Sequence, residues 1–316
     1  MNNSHNLDPK GIDPECSESW LGVMDTDGVT SIQIADSGAN LGKISKVQLQ
    51  TVKARSAITT NNPRGMGLQN ELVIMELIAR FGYSTENIAR LFIRDQNGRV
   101  AKRLLKSGVL KKIRLKNEAY TTQFGSVHHV LVLSDVGLRK LQTISRNNYF
   151  YPEENIAAIK QSHVSHTLER QIAHKFVMML GHVKRCLTPR DPEADIKTAK
   201  SFDDLALDRQ GNIYLLETEL TAKYKNDFCD TRHRVIKSLQ QKNSSGGYVF
   251  KEVWYFIDPS IQKLYEDGFR AGAEIFHWHP QTKNIYKKGP VLLKIPPEIA
   301  SRIKFFPIKK RDFKNV

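Results

Sequence analysis

The chain has 316 residues of which 40% are hydrophobic, enough to bury one sizeable core or two, and its length slightly favours two compact domains. Lys and Arg number 48 against 33 Asp and Glu, a formal charge of +15, so a polyanion or an anionic surface is the expected partner. No stretch approaches the roughly 20 apolar residues of a membrane span, the N-terminus lacks the apolar core of a signal peptide, and Cys16, Cys186 and Cys229 are too few and scattered for a disulfide framework or a CxxC zinc site. These features imply a cytoplasmic protein with reduced thiols.

Residues 1–68 hold 6 basic and 7 acidic side chains, leaving 42 against 26 beyond them, and are rich in Asn, Ser, Thr, Gly and Asp. A largely disordered polar leader is expected there. From Asn70 the spacing of Leu72, Val73, Met75, Leu77, Ile78 and Phe81 predicts a helix. Ser84 is placed to cap a second, short helix carrying Ile88, Leu91 and Phe92. A third, from about Gly98 to Ser107, sets Arg99, Lys102, Arg103 and Lys106 on one face and Val100, Ala101, Leu104 and Leu105 on the other.

VLKKIRLK (109–116) and VHHVLVL (127–133) then read as a hairpin, adding Lys111, Lys112 and Arg114 to the basic set. Three helices and a hairpin make a winged helix-turn-helix. Between Arg99 and Lys116 there are eight basic residues and no acidic one, so the seven named cations are candidates for phosphate contacts with DNA. A helix from Asp135 to about Ser145 completes a domain of residues 69–146, and 147–160 reads as a linker.

A second domain is expected over 161–290. It begins with a helix, His166 to Leu180. A hairpin follows, in which Phe202 to Leu207 turns through 208–211 into the apolar run IYLLETEL, 213–220. Strand alternation puts Glu217 and Glu219 on one face, and a four-residue turn would set Asp204 opposite Leu215 and diagonal to Glu217. Lys223, an even step beyond Glu219, joins the same side. Three acids repel one another unless a cation compensates, and a divalent metal is the usual one. The simpler alternative is acids alternating on an exposed strand. Helix 230–242, strand 248–257, a helix from Pro259 to about Ala271 and a strand from Ala273 to Trp278 give a mixed α/β core.

The order of winged helix, a helix carrying His166 and Glu169 (HxxE) and D-x(12)-ExExxxK, over roughly residues 69–257, resembles the replication-relaxation proteins and MobC-type relaxases of mobilisable plasmids and integrative elements. The resemblance implies an α+β chain whose second domain is restriction-endonuclease-like, of the PD-(D/E)xK class. It implies a relaxase that nicks one DNA strand at a transfer origin, with relaxosome accessory and coupling proteins as partners. By the same resemblance Asp204, Glu217 and Glu219 would hold Mg²⁺ or Mn²⁺, Lys223 would assist catalysis, and His166 matches the histidine that opens the preceding helix. The chain departs from the nuclease pattern in having Asp203 where a proline stands and Glu219 where the lysine of ExK stands.

Two other readings compete. A non-catalytic DNA-binding accessory or replication regulator would keep the winged helix and treat the acids as inherited. A HUH-type tyrosine relaxase would use His277 and His279 on a strand, but Tyr149 and Tyr151 precede the domain and no third histidine follows. Glu169, one turn after His166, reads as a surface acid, and His128, His129 and His163 as polar surface residues. Residues 291–316 read as a basic C-terminal tail in which Lys304, Lys309, Lys310 and Arg311 alternate with Phe305, Phe306 and Phe313.

Overall fold

The first helical pattern runs further back than Asn70: α1 spans Pro63–Phe81 and so takes in residues expected in the leader. The computed structural model describes residues 63–93, 95, 97–121, 125–145, 161–191, 202–282 and 285–308. The remainder of the leader, the linker, Cys16, Tyr149, Tyr151 and the last basic residues of the tail lie outside these. The described chain is a mixed α/β fold divided into two compact units, the first holding the described residues from 63 to 115 and from 129 to 145, the second those from 161 to 308 together with 116–121 and 125–128.

Along the chain α1 is followed by α2 (Glu86–Ile93), α3 (Arg99–Lys106), β1 (Leu110–Thr121), β2 (Gly125–Leu133) and α4 (Asp135–Ile144), and the first unit takes β1 as far as Leu115 and β2 from His129. Met75, Ile78 and Ala79 of α1 pack with Ala89, Val100, Ala101, Leu104, Leu131 and Leu141 in one core. Each large apolar side chain removed from water there stabilises the unit by roughly 1.5–3 kcal/mol.

The second helix is capped by Thr85, whose Oγ1 accepts from Ile88 N at 3.2 Å, not by Ser84. Ser84 is used otherwise: its backbone exchanges hydrogen bonds with Leu131, at 3.0 and 2.7 Å, and so extends the β1–β2 ladder by one bridge. Ser134 Oγ accepts from Gly137 N at the start of α4 and donates back toward Val109 O. Gly137 is tightly seated. A Cβ there would stand 2.1 Å from Val109 O, a contact no side chain can make without moving backbone.

The second unit contains α5 (Gln161–Met178), β3 (Val183–Leu187), β4 (Asp204–Asp208), β5 (Ile213–Glu219), α6 (Lys225–Leu239), β6 (Phe250–Ile257), α7 (Pro259–Phe269), β7 (Glu274–Thr282), β8 (Ile285–Lys294), α8 (Pro297–Ala300) and β9 (Ile303–Pro307). Five strands form one sheet in the order β3-β4-β5-β6-β9. The first three make an antiparallel meander, and β6 and β9 run parallel to β5.

Both faces are covered, which explains the near-continuous apolar runs of β5 and β6. On one face Leu205, Leu215, Val253, Tyr255 and Ile257 meet Phe228, Val235 and Ile236 of α6 and Tyr265 and Phe269 of α7. On the other, Ala206, Tyr214, Leu216, Trp254 and Phe256 meet Ala173 and Val177 of α5.

Three expectations change. His166 lies in the second turn of α5, because the helix begins at Gln161. The edge strand β3 was hidden by its charged sequence VKRCL, whose Arg185 is nevertheless buried. The stretch from 291 is no tail as far as residue 308: it completes β8, forms α8, and lays Ile303–Pro307 along β6, where Phe305 stacks on Tyr255. Among the described residues no helix is long and apolar enough to cross a membrane.

Candidate acidic site

The geometry of the acids is set by the turn between β4 and β5. Asp208 Oδ1 accepts from Gln210 N and Asn212 N at 2.8 and 2.9 Å, and Tyr214 OH donates to Oδ2 at 3.0 Å. Gly211 sits at φ +81°, so the closing pair is Asp208 with Asn212 around a three-residue loop. The ladder therefore pairs Asp204 with Leu216, one residue away from the expected Leu215.

A one-residue shift reverses the face of every side chain in the strand. Asp204 accordingly points away from Glu217 and Glu219, toward α5. Arg170 Nε and Nη2 grip its two oxygens at 2.9 and 2.5 Å, and His174 Nε2 stands 3.3 Å away. The expected convergence of Asp204 with the two glutamates does not occur. Burial works against the Arg170 charge, but the Asp204 carboxylate outweighs it and raises the pKa.

Asp203 takes the position nearer the glutamates. Its Oδ2 accepts from Thr218 N at 2.8 Å, on the peptide between Glu217 and Thr218. Arg170 Nη2 also holds its carbonyl at 2.7 Å, and His166 Nε2 stands 3.2 Å from Oδ2 and 2.9 Å from Thr218 O. Burial would raise the Asp203 pKa, but the hydrogen bond and charge of His166, then Arg170 and Thr218 N, pull it down to about 2. For His166 burial acts downward and Asp203 prevails, so its pKa lies above the usual 6.5.

Glu217 and Glu219 are 3% and 6% exposed, so the exposed-strand alternative fails. Beside them in the parallel register stand Tyr255 and Ile257. Lys223 forms an ion pair with Glu219 from the irregular segment that precedes α6. That segment enters the helix through Lys225 at φ +49°, a left-handed conformation costing about 1 kcal/mol for a residue with a Cβ. Tyr255 is fully buried, and its hydroxyl has no hydrogen-bond partner among the described residues. Burial first, then the charges of Glu217 and Glu219, raise its pKa well above 10; Tyr265 is raised by burial and Glu219.

Three of the acids thus have a basic side chain beside them: Asp204 has Arg170, Asp203 has His166 and Glu219 has Lys223. Sequence reasoning missed Arg170 and His174, although His166, Arg170 and His174 recur every four residues on one face of α5. Glu169, expected at the surface, is 1% exposed. Among the described residues no three His, Cys, Asp or Glu side chains gather within ligating range of one point.

The basic set lies where the periodicity placed it. Arg99, Lys102, Arg103 and Lys106 are exposed on α3, and Lys111, Lys112 and Arg114 on β1. Two of them meet acids from other elements: Arg103 pairs with Glu71 at 2.8 Å and Lys112 with Glu86 at 3.0 Å. His277 and His279 are exposed on β7, their rings stacked 4.8 Å apart. Cys186 and Cys229 are free and buried. Comparison of the chain with known protein families, with curated proteins and with solved structures finds no match.

Proposed function

We propose that the chain is a DNA relaxase: a winged helix binds duplex DNA at a transfer origin, and a restriction-endonuclease-like unit nicks one strand to start mobilisation. The observation that carries the reading is the position of three acids in the second unit. Asp203 heads the middle strand of an antiparallel meander, and Glu217 and Glu219 close the strand to which its carboxylate is bonded. A helix, a three-stranded meander, a helix and a parallel strand follow in the order of PD-(D/E)xK nucleases. In the first unit, three helices, the Ser84–Leu131 bridge and the hairpin follow in the order of a winged helix.

The donor chemistry suits a hard divalent cation, since Asp203, Glu217 and Glu219 offer only carboxylate oxygens. The buried, unpartnered Tyr255 hydroxyl beside the glutamates is hydrogen-bonding capacity that a hydrated ion satisfies. Asp203, Glu217 and Glu219 do not meet at one point as they stand, and would have to draw together to hold Mg²⁺ or Mn²⁺, which when bound polarises a phosphate and acidifies a water. Asp204 moves from ligand to support: with Arg170 it fixes the backbone at Asp203. Glu219 aims Lys223, whose ammonium would stabilise charge building on the phosphate.

Supercoiled DNA of the replicon that encodes the chain provides the test. It should be converted to the open circular form with Mg²⁺ or Mn²⁺ and not in excess EDTA. Asp203→Asn and Glu217→Gln should abolish nicking while Asp204→Asn only weakens it; loss with Asp204→Asn alone would overturn the assignment. The second reading, a DNA-binding accessory or regulator, is favoured by the pairing of acids with side-chain cations. It expects DNA binding without nicking under any of these conditions.

A further inference from the structure

The β7–β8 hairpin is a surface that the acidic site does not use. Its root is tied down: Ile275 is fully buried, Trp278 and Leu293 pack against the core between the sheet, α6 and α7, and Glu274 pairs with Lys294 at 3.2 Å. Beyond the root there is no acidic residue from Ile275 to Leu293. His277, His279, Tyr286, Lys287 and Lys288 are exposed.

These groups are arranged in pairs. His279 stands opposite Lys287 and Trp278 opposite Lys288, so each face of the ribbon carries one ammonium beside a ring. The Lys288 Nζ lies 3.4 Å from the centroid of Phe276. The imidazoles of His277 and His279 are nearly parallel, at 11°. Gly289 makes room for that arrangement, because a Cβ there would come 2.7 Å from His279 Nε2 and 3.0 Å from His277 O.

We infer that this hairpin binds single-stranded nucleic acid, with Lys287 and Lys288 on phosphates and the His277–His279 pair against unstacked bases. An acid-free ribbon attracts a polyanion. Stacked rings add affinity only for a strand whose bases are free, since a duplex offers this surface phosphates alone. An acidic protein partner would use the lysines and leave the rings idle. The inference rests on the nucleic-acid part of the proposed function and not on cleavage.

The test uses the full chain in EDTA, with fluorescence anisotropy on a labelled oligothymidine of about 20 nucleotides, longer than one such site, and on a duplex of equal length, across a salt series. K287E/K288E should weaken single-strand binding at least tenfold and lower the salt slope by roughly 1.4, the value for two phosphates on a single strand. H277A/H279A should weaken it without changing the slope, and G289A should do so to a smaller degree. Duplex affinity should fall much less, and melting temperatures of the surface variants should stay at the parent value. Unchanged single-strand affinity, an equal loss on duplex and single strand, or no effect of the histidine pair would overturn the inference. Absence of nicking together with hairpin-dependent binding would remove the nickase reading and leave this one standing.

Discussion

In the first unit Arg99, Lys102, Lys106, Lys111 and Arg114 stand in solvent around a core they do not enter, whereas in the second Asp204, Glu217 and Glu219 are each less than a tenth exposed. Exposed cations keep their hydration and cost the fold little, so their number is free to follow a ligand's charge. Buried acids must be compensated where they lie: Asp204 is tied to Arg170 and Glu219 to Lys223, and half-buried Asp203 to His166. Charge therefore stays in solvent in one unit and is a structural constraint in the other.

That contrast breaks most directly at Arg170. Arg170→Leu leaves Asp204 buried without its bidentate partner and should destabilise the second unit by about 3–5 kcal/mol, read as a fall in its unfolding midpoint in urea. If the midpoint barely moves, the buried acids are not constrained as described. Gly137→Ala is the counterpart in the first unit, where an uncharged change is severe for steric reasons. A Cβ facing Val109 O should cost about 3 kcal/mol by shifting α4, measurable by thermal melting.

The His166–Asp203 pair should write itself into the pH dependence of stability in EDTA. The Asp203 pKa is depressed on folding, so its contribution is full above 3.8 and is lost as pH falls through about 2. The His166 pKa is raised, so its contribution is full below 6.5 and is lost as pH rises through the folded value. Stability should plateau between these limits by something on the order of 2 kcal/mol, and His166→Ala should flatten the alkaline limb. A limb that persists in the variant would sink the assignment.

The smallest stability effect belongs to the exposed cations. Lys102→Ala and Lys106→Ala should each change unfolding free energy by less than about 0.5 kcal/mol yet reduce the salt slope of duplex binding by about 0.9 per phosphate lost. Denaturation and binding titrations on the same samples separate the two.

The amphipathic elements were legible in the sequence because their periodicity is a local property. The α3 pattern of Arg99, Lys102, Arg103 and Lys106 against Val100, Ala101 and Leu104 survives in the structure. Pairing across elements was not legible. Nothing near Arg103 announces Glu71, 32 residues away, and nothing near Arg170 announces Asp204. The strands β3 and β9 were missed because VKRCL and IKFFP look charged or tail-like until a neighbouring strand supplies their partner. The acids were found, but their facing depended on one turn, and a register cannot be read from either strand alone.

The Asp208–Asn212 turn thus has a consequence for how this unit can vary. Lengthening it by one residue would change nothing in the list of amino acids on β4, but would exchange which of Asp203 and Asp204 shares a sheet face with Glu217. The loop behaves as a parity switch, in which odd insertions rewire the chemistry at the far end of the hairpin and even ones leave it intact.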